Sequence, residues 1–131
     1  MELARAVDQL RERIPGLVLV TLYGSHARGD AGPESDVDLA VLADGPIDLW
    51  TLLDLQADAA TPLGADVDLV DLWSADDVLR VQVIEHGRVL YERDANERAR
   101  FEMHALSRYA HLNEERRAIL EDVARRGSVY G

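Results

Sequence analysis

The stretch that decides the fold is "LYGSHARGDAGPESDVDLAVL", residues 22–42. An apolar run ends at Gly24-Ser25, and after ten intervening residues stand two aspartates, Asp36 and Asp38, one residue apart. Just upstream, "LVLVTLY" (17–23) is continuous and rich in branched residues, the pattern of a buried strand. Just downstream, "DVDLAVL" (36–42) alternates and then turns apolar, which predicts a second strand. Side chains alternate faces along a strand, so Asp36, Asp38 and Ala40 share one face while Val37, Leu39 and Val41 enter the core. A buried carboxylate is costly unless something positive meets it. The pair therefore calls for a cation.

Further out, "ADVDLVDLW" (65–73) predicts a third strand. Asp66, Asp68 and Val70 fall on one of its faces; Val67, Leu69 and Asp71 fall on the other. If the second and third strands are neighbours, three or four carboxylates converge. Hard divalent cations such as Mg²⁺ take carboxylate oxygens. Two such ions about 4 Å apart can stabilise both the attacking and the leaving oxygen of a phosphoryl displacement. The Gly24-Ser25 turn supplies the complement. Glycine lets backbone N–H groups approach a phosphate closely, the Ser25 hydroxyl can donate to it, and Arg28 can add a bidentate guanidinium. An isolated Asp-x-Asp is more often surface polarity than a metal site. Joined to a Gly-Ser turn between two strands, it reads as phosphate cradle, spacer and metal pair.

The remaining elements frame this unit. "ELARAVDQLRERI" spaces Leu3, Ala6, Val7, Leu10 and Ile14 as a helix, ended by Pro15-Gly16. Residues 47–63 predict a helix with Asp44 as its cap. "SADDVLRVQVIEHG" predicts another, opened by Ser74 with Asp77 as capping-box acid and closed by a left-handed Gly87. "RVLYE" is a short strand. From Asp94 to about Arg126 the chain reads as one long helix or two shorter ones, with Ala99, Met103, Leu106 and Ala110 on one face, and "GSVYG" reads as a loose tail. The order predicts an α+β fold, an α/β mixed sheet with helices packed on it, in a single domain over residues 1–131. Its core spans about 17–91 and its helical C-terminal extension about 94–126.

Composition narrows the function classes. There is no cysteine, which excludes disulfides and thiolate metal sites. The first residues lack the apolar segment of a signal peptide, and no run approaches the roughly 20 apolar residues that span a bilayer; a soluble cytoplasmic protein is expected. The net charge is −11, and all fourteen basic residues are arginine. Such a surface repels phosphate backbones and suits docking onto a more basic protein, so extensive nucleic-acid binding is not expected.

"GSHARGDAGPESDVDLAVL" followed by "VDLVDL" resembles the polymerase-β-like nucleotidyltransferases, and within them the minimal nucleotidyltransferases (MNT) that pair with HEPN proteins in toxin–antitoxin modules. The resemblance covers residues 17–91 well and the tail "RVLYERDANERARFEMHALSRY" less specifically. It implies a minimal polymerase-β-like nucleotidyltransferase core. Gly24 and Ser25 would hold nucleotide phosphates, with Arg28 beside them. Asp36 and Asp38 would ligate two Mg²⁺ ions, and a third carboxylate, Asp68 in preference to its rival Asp66, would ligate the metal that activates the attacking hydroxyl and could accept its proton. ATP would be the substrate. A HEPN-family toxin encoded next door would receive AMP on a hydroxyl, a tyrosine in this family, in a hetero-oligomer. The alternatives are an antitoxin that only masks its partner and an enzyme acting on a small molecule. Of the other polar and aromatic residues, His26 leaves a nucleotide contact and a plain loop role open. Asp30 and Glu34 are solvated loop charges, Asp71 is structural, and Trp50 and Trp73 are core or edge residues. His86 and His104 lie on helix surfaces, and Tyr109 and Tyr130 are candidates for a partner interface.

Overall fold

The structure, a computed structural model, describes residues 2–130, and side chains within that span as far as residue 127. Tyr130 as an interface residue therefore lies outside the described side chains. The elements run α1 (Leu3–Arg13), β1 (Leu17–Tyr23), α2 (Gly24–Arg28), β2 (Val37–Ala43), α3 (Leu49–Leu63), β3 (Val67–Asp71), α4 (Asp77–His86), β4 (Arg88–Glu92) and α5 (Ala95–Tyr130). They build a mixed sheet in the order β3-β2-β1-β4. β1 is antiparallel to β2 and β4, while β2 and β3 are parallel and joined through α3, the crossover that a parallel pair requires. The continuous apolar run at 17–23 and the run that turns apolar by residue 42 became the two central strands, which are covered on both faces.

One face carries Leu22, Leu39 and Val41 and buries them under α1 and α3, which contribute Leu10 and Leu55. The other carries Val18, Ala40, Leu42 and Leu72 under Val83 of α4 and Phe101 of α5. Asp38 precedes Ala40 on this second face, at the end that the helices leave uncovered. Among the described residues, no helix is long and apolar enough to cross a membrane.

Local details differ from the sequence reading, each for a physical reason. Asp48, not Asp44, caps α3, accepting from the Thr51 amide at 3.1 Å. The chain is held extended up to that point because the Ile47 amide donates to the buried Asp71 carboxylate at 2.9 Å. Asp44 instead pairs with Arg93 at 2.7 Å. Asp76 caps α4 in place of Ser74, whose hydroxyl is drawn to Asp71 at 3.3 Å. Gly87 is not left-handed, its φ being −82°; glycine is required because a β-carbon there would run into the Val83 carbonyl and the Thr21 methyl. Trp50 and Trp73 are 77% and 48% exposed rather than core.

α5 is one continuous helix that includes residues 127–130 of the expected tail. The face of Ala99, Met103, Leu106 and Ala110 points to solvent, with Met103 71% exposed. The packed side carries Phe101 and Ala105 together with Arg98 and Glu102. That pair bonds at 2.9 Å, and Arg98 also reaches Glu92, so charged residues blurred the apolar periodicity of the buried side. At the outer edge of the sheet, the outward amide of Leu69 on β3 donates to the Gln56 side-chain carbonyl at 2.9 Å.

Candidate active site

Register brings the site together. Tyr23, the last residue of β1, pairs with Asp38 on β2, and Asp38 pairs with Asp68 on β3. The three side chains form one row across adjacent strands, on the face that carries Ala40 and Leu42. Adjacent strands lie about 4.8 Å apart, so Asp38 and Asp68 are immediate neighbours. Asp36 lies just before β2, one residue outside the strand that the sequence predicted for it, and is exposed. Asp66 likewise precedes β3 and accepts the Val37 amide through its backbone carbonyl at 2.8 Å. Asp36 and Asp66 line a shared cleft of about 520 Å³ with Pro33 and Gly64. Asp71 points away from the row, buried, and accepts from the amides of Ile47 and Trp73 at 2.9 Å each. Its structural role was legible; the two loops it joins were not.

The Gly-Ser turn meets this row directly. Gly24 opens α2 with φ +70°, and a β-carbon there would fall on the Asp38 Oδ2. The absent side chain is thus the space that the Asp38 carboxylate occupies. Tyr23, the residue before α2, gives no side-chain cap to the first amides of the helix, so they stand as donors for an anion. Ser25 is half-buried beside them. His26 Nε2 pairs with the Ser35 carbonyl at 3.2 Å, and the Ser35 hydroxyl takes the Gly32 amide at 2.8 Å. His26 therefore ties α2 to the entry of β2 and fixes where Asp36 emerges. Arg28 is exposed and paired at 3.3 Å with Asp30, itself a solvated loop charge as the sequence suggested.

Electrostatics follow from the crowding. Burial first, then the charges of Asp68 and Asp36, hold the Asp38 carboxyl above the usual carboxylate range; His26 and Arg28 pull it the other way. The Tyr23 phenol is pushed up to about 12, again by burial first and then by Asp68 and Asp38. Tyr23 was missed by sequence reasoning, although its signal was available: as the last strand residue before the glycine, it had to stand opposite one of the aspartates.

Among the described residues, no three His, Asp or Glu side chains are gathered closely enough to hold a metal ion by themselves. Asp38 and Asp68 stand side by side in the row, with Asp36 and Asp66 one step outside the strands. Their chemistry nevertheless suits a hard cation. Mg²⁺ keeps several waters and is usually bound by one or two carboxylates plus substrate phosphates, and the row presents carboxylate oxygens beside free amide donors. A second cavity, of about 550 Å³ and lined by Leu42, Trp73 and Phe101, lies at the opposite end of the same face, beyond Ala40.

The arrangement has known counterparts. The family described as Polymerase beta, Nucleotidyltransferase matches residues 7–96. This chain belongs to the polymerase-β nucleotidyltransferase family. Among curated members, the protein adenylyltransferase MntA of Shewanella oneidensis is 40% identical over 119 residues, 91% of this chain and 85% of that relative. A chain in a crystal structure of a toxin–antitoxin with AMP-PNP superposes with a TM-score of 0.84 at 39% identity, over 92% of this chain and 96% of that one. A further structure holds the tri-AMPylated Shewanella oneidensis HEPN toxin in complex with its MNT antitoxin. Its matching chain gives a TM-score of 0.77 at 38% identity, over 92% and 93% of the two chains. The nucleotidyltransferase core and the helix that follows it are thus shared with chains found in toxin complexes.

Proposed function

We propose that this chain is an antitoxin that transfers AMP from ATP to a hydroxyl of a partner HEPN toxin, acting in the cytoplasm. One observation carries the reading: a glycine turn with free amides is packed directly against a cross-strand row of carboxylates. Relatives that share this chain's fold over nine-tenths of its length are found with AMP-PNP and with an AMPylated toxin.

The roles follow from placement. The amides at the start of α2 and the Ser25 hydroxyl bind the outer phosphates of ATP. Arg28 exchanges Asp30 for a phosphate oxygen as the nucleotide seats. Asp36 and Asp38 would hold the Mg²⁺ ions, which when bound would supply positive charge to the phosphates. Asp68, beside Asp38 but more exposed, faces the incoming acceptor and takes the proton from its hydroxyl, for which we assign a tyrosine. The acceptor oxygen bonds to the α-phosphorus, the bond from that phosphorus to the bridging oxygen breaks, and pyrophosphate leaves. The test is mass spectrometry of the partner HEPN protein after incubation with this chain, ATP and Mg²⁺. The partner should gain AMP, and the Asp68→Asn variant should leave it unmodified. An unmodified partner with wild-type enzyme sinks the proposal.

A further inference from the structure

α5 is 36 residues long, about 54 Å at 1.5 Å per residue. Its first half is held to the body. Phe101 packs on the cluster around Leu42 and Leu72, Ala105 is buried, and Arg108 bonds Asp77 at 3.1 Å. Residues four and seven apart share a helix face. The face of Phe101, Ala105 and Leu112 therefore continues as Ile119 and Val123, with Leu120 at its border. There the body has ended: Ile119, Leu120 and Val123 are 62%, 68% and 57% exposed. On that face Glu115 and Arg116 interrupt the apolar run after Leu112, and Ile119, Leu120 and Val123 form a second, uncovered apolar patch beyond them.

Two observations say what covers it. The family match stops at residue 96, at the very start of α5. The chains found in toxin–antitoxin complexes match over 92% of this one, so most of α5 is common to them. α5 is thus an addition to the nucleotide-transferring core, shared with chains that hold a toxin. The second observation is charge. The body is strongly acidic, yet between residues 113 and 126 four acids face four arginines and cancel. This half of α5 is therefore neutral, and what it offers a partner is apolar contact. A single helix with apolar residues at this spacing is complementary to another helix carrying a matching stripe.

We propose that the projecting half of α5 is a docking arm, over which an apolar helix face of the partner toxin closes on Ile119, Leu120 and Val123. The inference rests on the antitoxin reading above. It separates holding the partner from modifying it, because the arm stands off from the carboxylate row.

The test is calorimetric titration of the partner HEPN protein with this chain in the absence of ATP. Wild type and Asp68→Asn should bind alike. The double variant Ile119→Glu/Val123→Glu should bind roughly 100-fold more weakly or not at all, as expected when charges are placed at the centre of an interface. Its melting temperature and its affinity for ATP should match wild type, since both side chains are exposed in the free chain. Wild-type toxin affinity in the double variant overturns the arm. So does light scattering that shows the free chain to be a dimer which the double variant dissolves, because the stripe then belongs to a second copy. If wild type fails to bind the HEPN protein at all, the antitoxin reading itself has failed and the arm falls with it.

Discussion

Gly24 and Gly16 form a matched pair for testing whether close packing of backbone on carboxylate makes the active site. Both have φ +70°, and a β-carbon on either would fall on an aspartate Oδ2 and 3.0 Å from its Cγ: Asp38 for Gly24, Asp44 for Gly16. They lie at opposite ends of β1. An alanine at either must adopt a left-handed backbone, at about 1–2 kcal/mol, and must push a carboxylate aside. Each variant should lose about 1–3 kcal/mol, which for a domain of this size lowers the melting temperature by roughly 3–10 °C. The effects on transfer should differ. In Gly24→Ala the Asp38 carboxylate has to move by about 1 Å, and a misplacement of that size costs on the order of 100-fold in rate. In Gly16→Ala the displaced group is Asp44, bound to Arg93 and remote from the row. The assay is single-turnover transfer to the partner, run well below both melting temperatures. Equal slowing in the two variants would show that activity tracks stability rather than the seat of Asp38, and a wild-type rate in Gly24→Ala would refute the reasoning outright.

Other outcomes follow from the same geometry. Asp38→Asn should melt higher than wild type in EDTA at pH 7, by up to about 0.8 kcal/mol for unit charges roughly 5 Å apart in water. The folded pKa of Asp38 is raised, so its ionisation costs stability above that pKa, and the advantage of the variant should vanish as the pH falls below 3.8; scanning calorimetry at both pH values decides it. Asp68→Asn should abolish transfer while Asp66→Asn retains more, and the reverse ranking in a rate assay would move the third carboxylate to the start of β3. Asp71→Ala leaves the Ile47 and Trp73 amides without their acceptor; urea unfolding should show a loss of about 1–3 kcal/mol per orphaned amide, with ATP affinity unchanged.

The central part of the fold was legible because its strands are apolar on both faces and its aspartates keep strict period two. Those patterns put Asp36 and Asp38 on one face of their strand and Asp66 and Asp68 on one face of theirs; the register then set Asp38 beside Asp68. What was not legible depended on contacts distant in sequence. The starts of α3 and α4 moved to Asp48 and Asp76 because Asp71, itself buried between two loops, claims the Ile47 amide and the Ser74 hydroxyl. The packed face of α5 was misread because Arg98 and Glu102 sit on it and satisfy each other. Tyr23 was overlooked as a neighbour of the carboxylates because a tyrosine ending an apolar run looks like core.

The Gln56 carbonyl that occupies the Leu69 amide has a consequence for solubility. β3 is an outer strand of the sheet, and an open edge of this kind templates the addition of a strand from another molecule. Gln56 fills the donor in the middle of that edge, while Asp66 and Asp68, both exposed, place negative charge at its start. A strand arriving from a second molecule would have to expel the glutamine and settle beside two like charges. Asp68, assigned above to proton transfer, together with Asp66 therefore also guards this edge against aggregation. Inactive variants that neutralise Asp66 and Asp68 together should tend to polymerise along this edge, and restoring charge at either position should recover soluble protein.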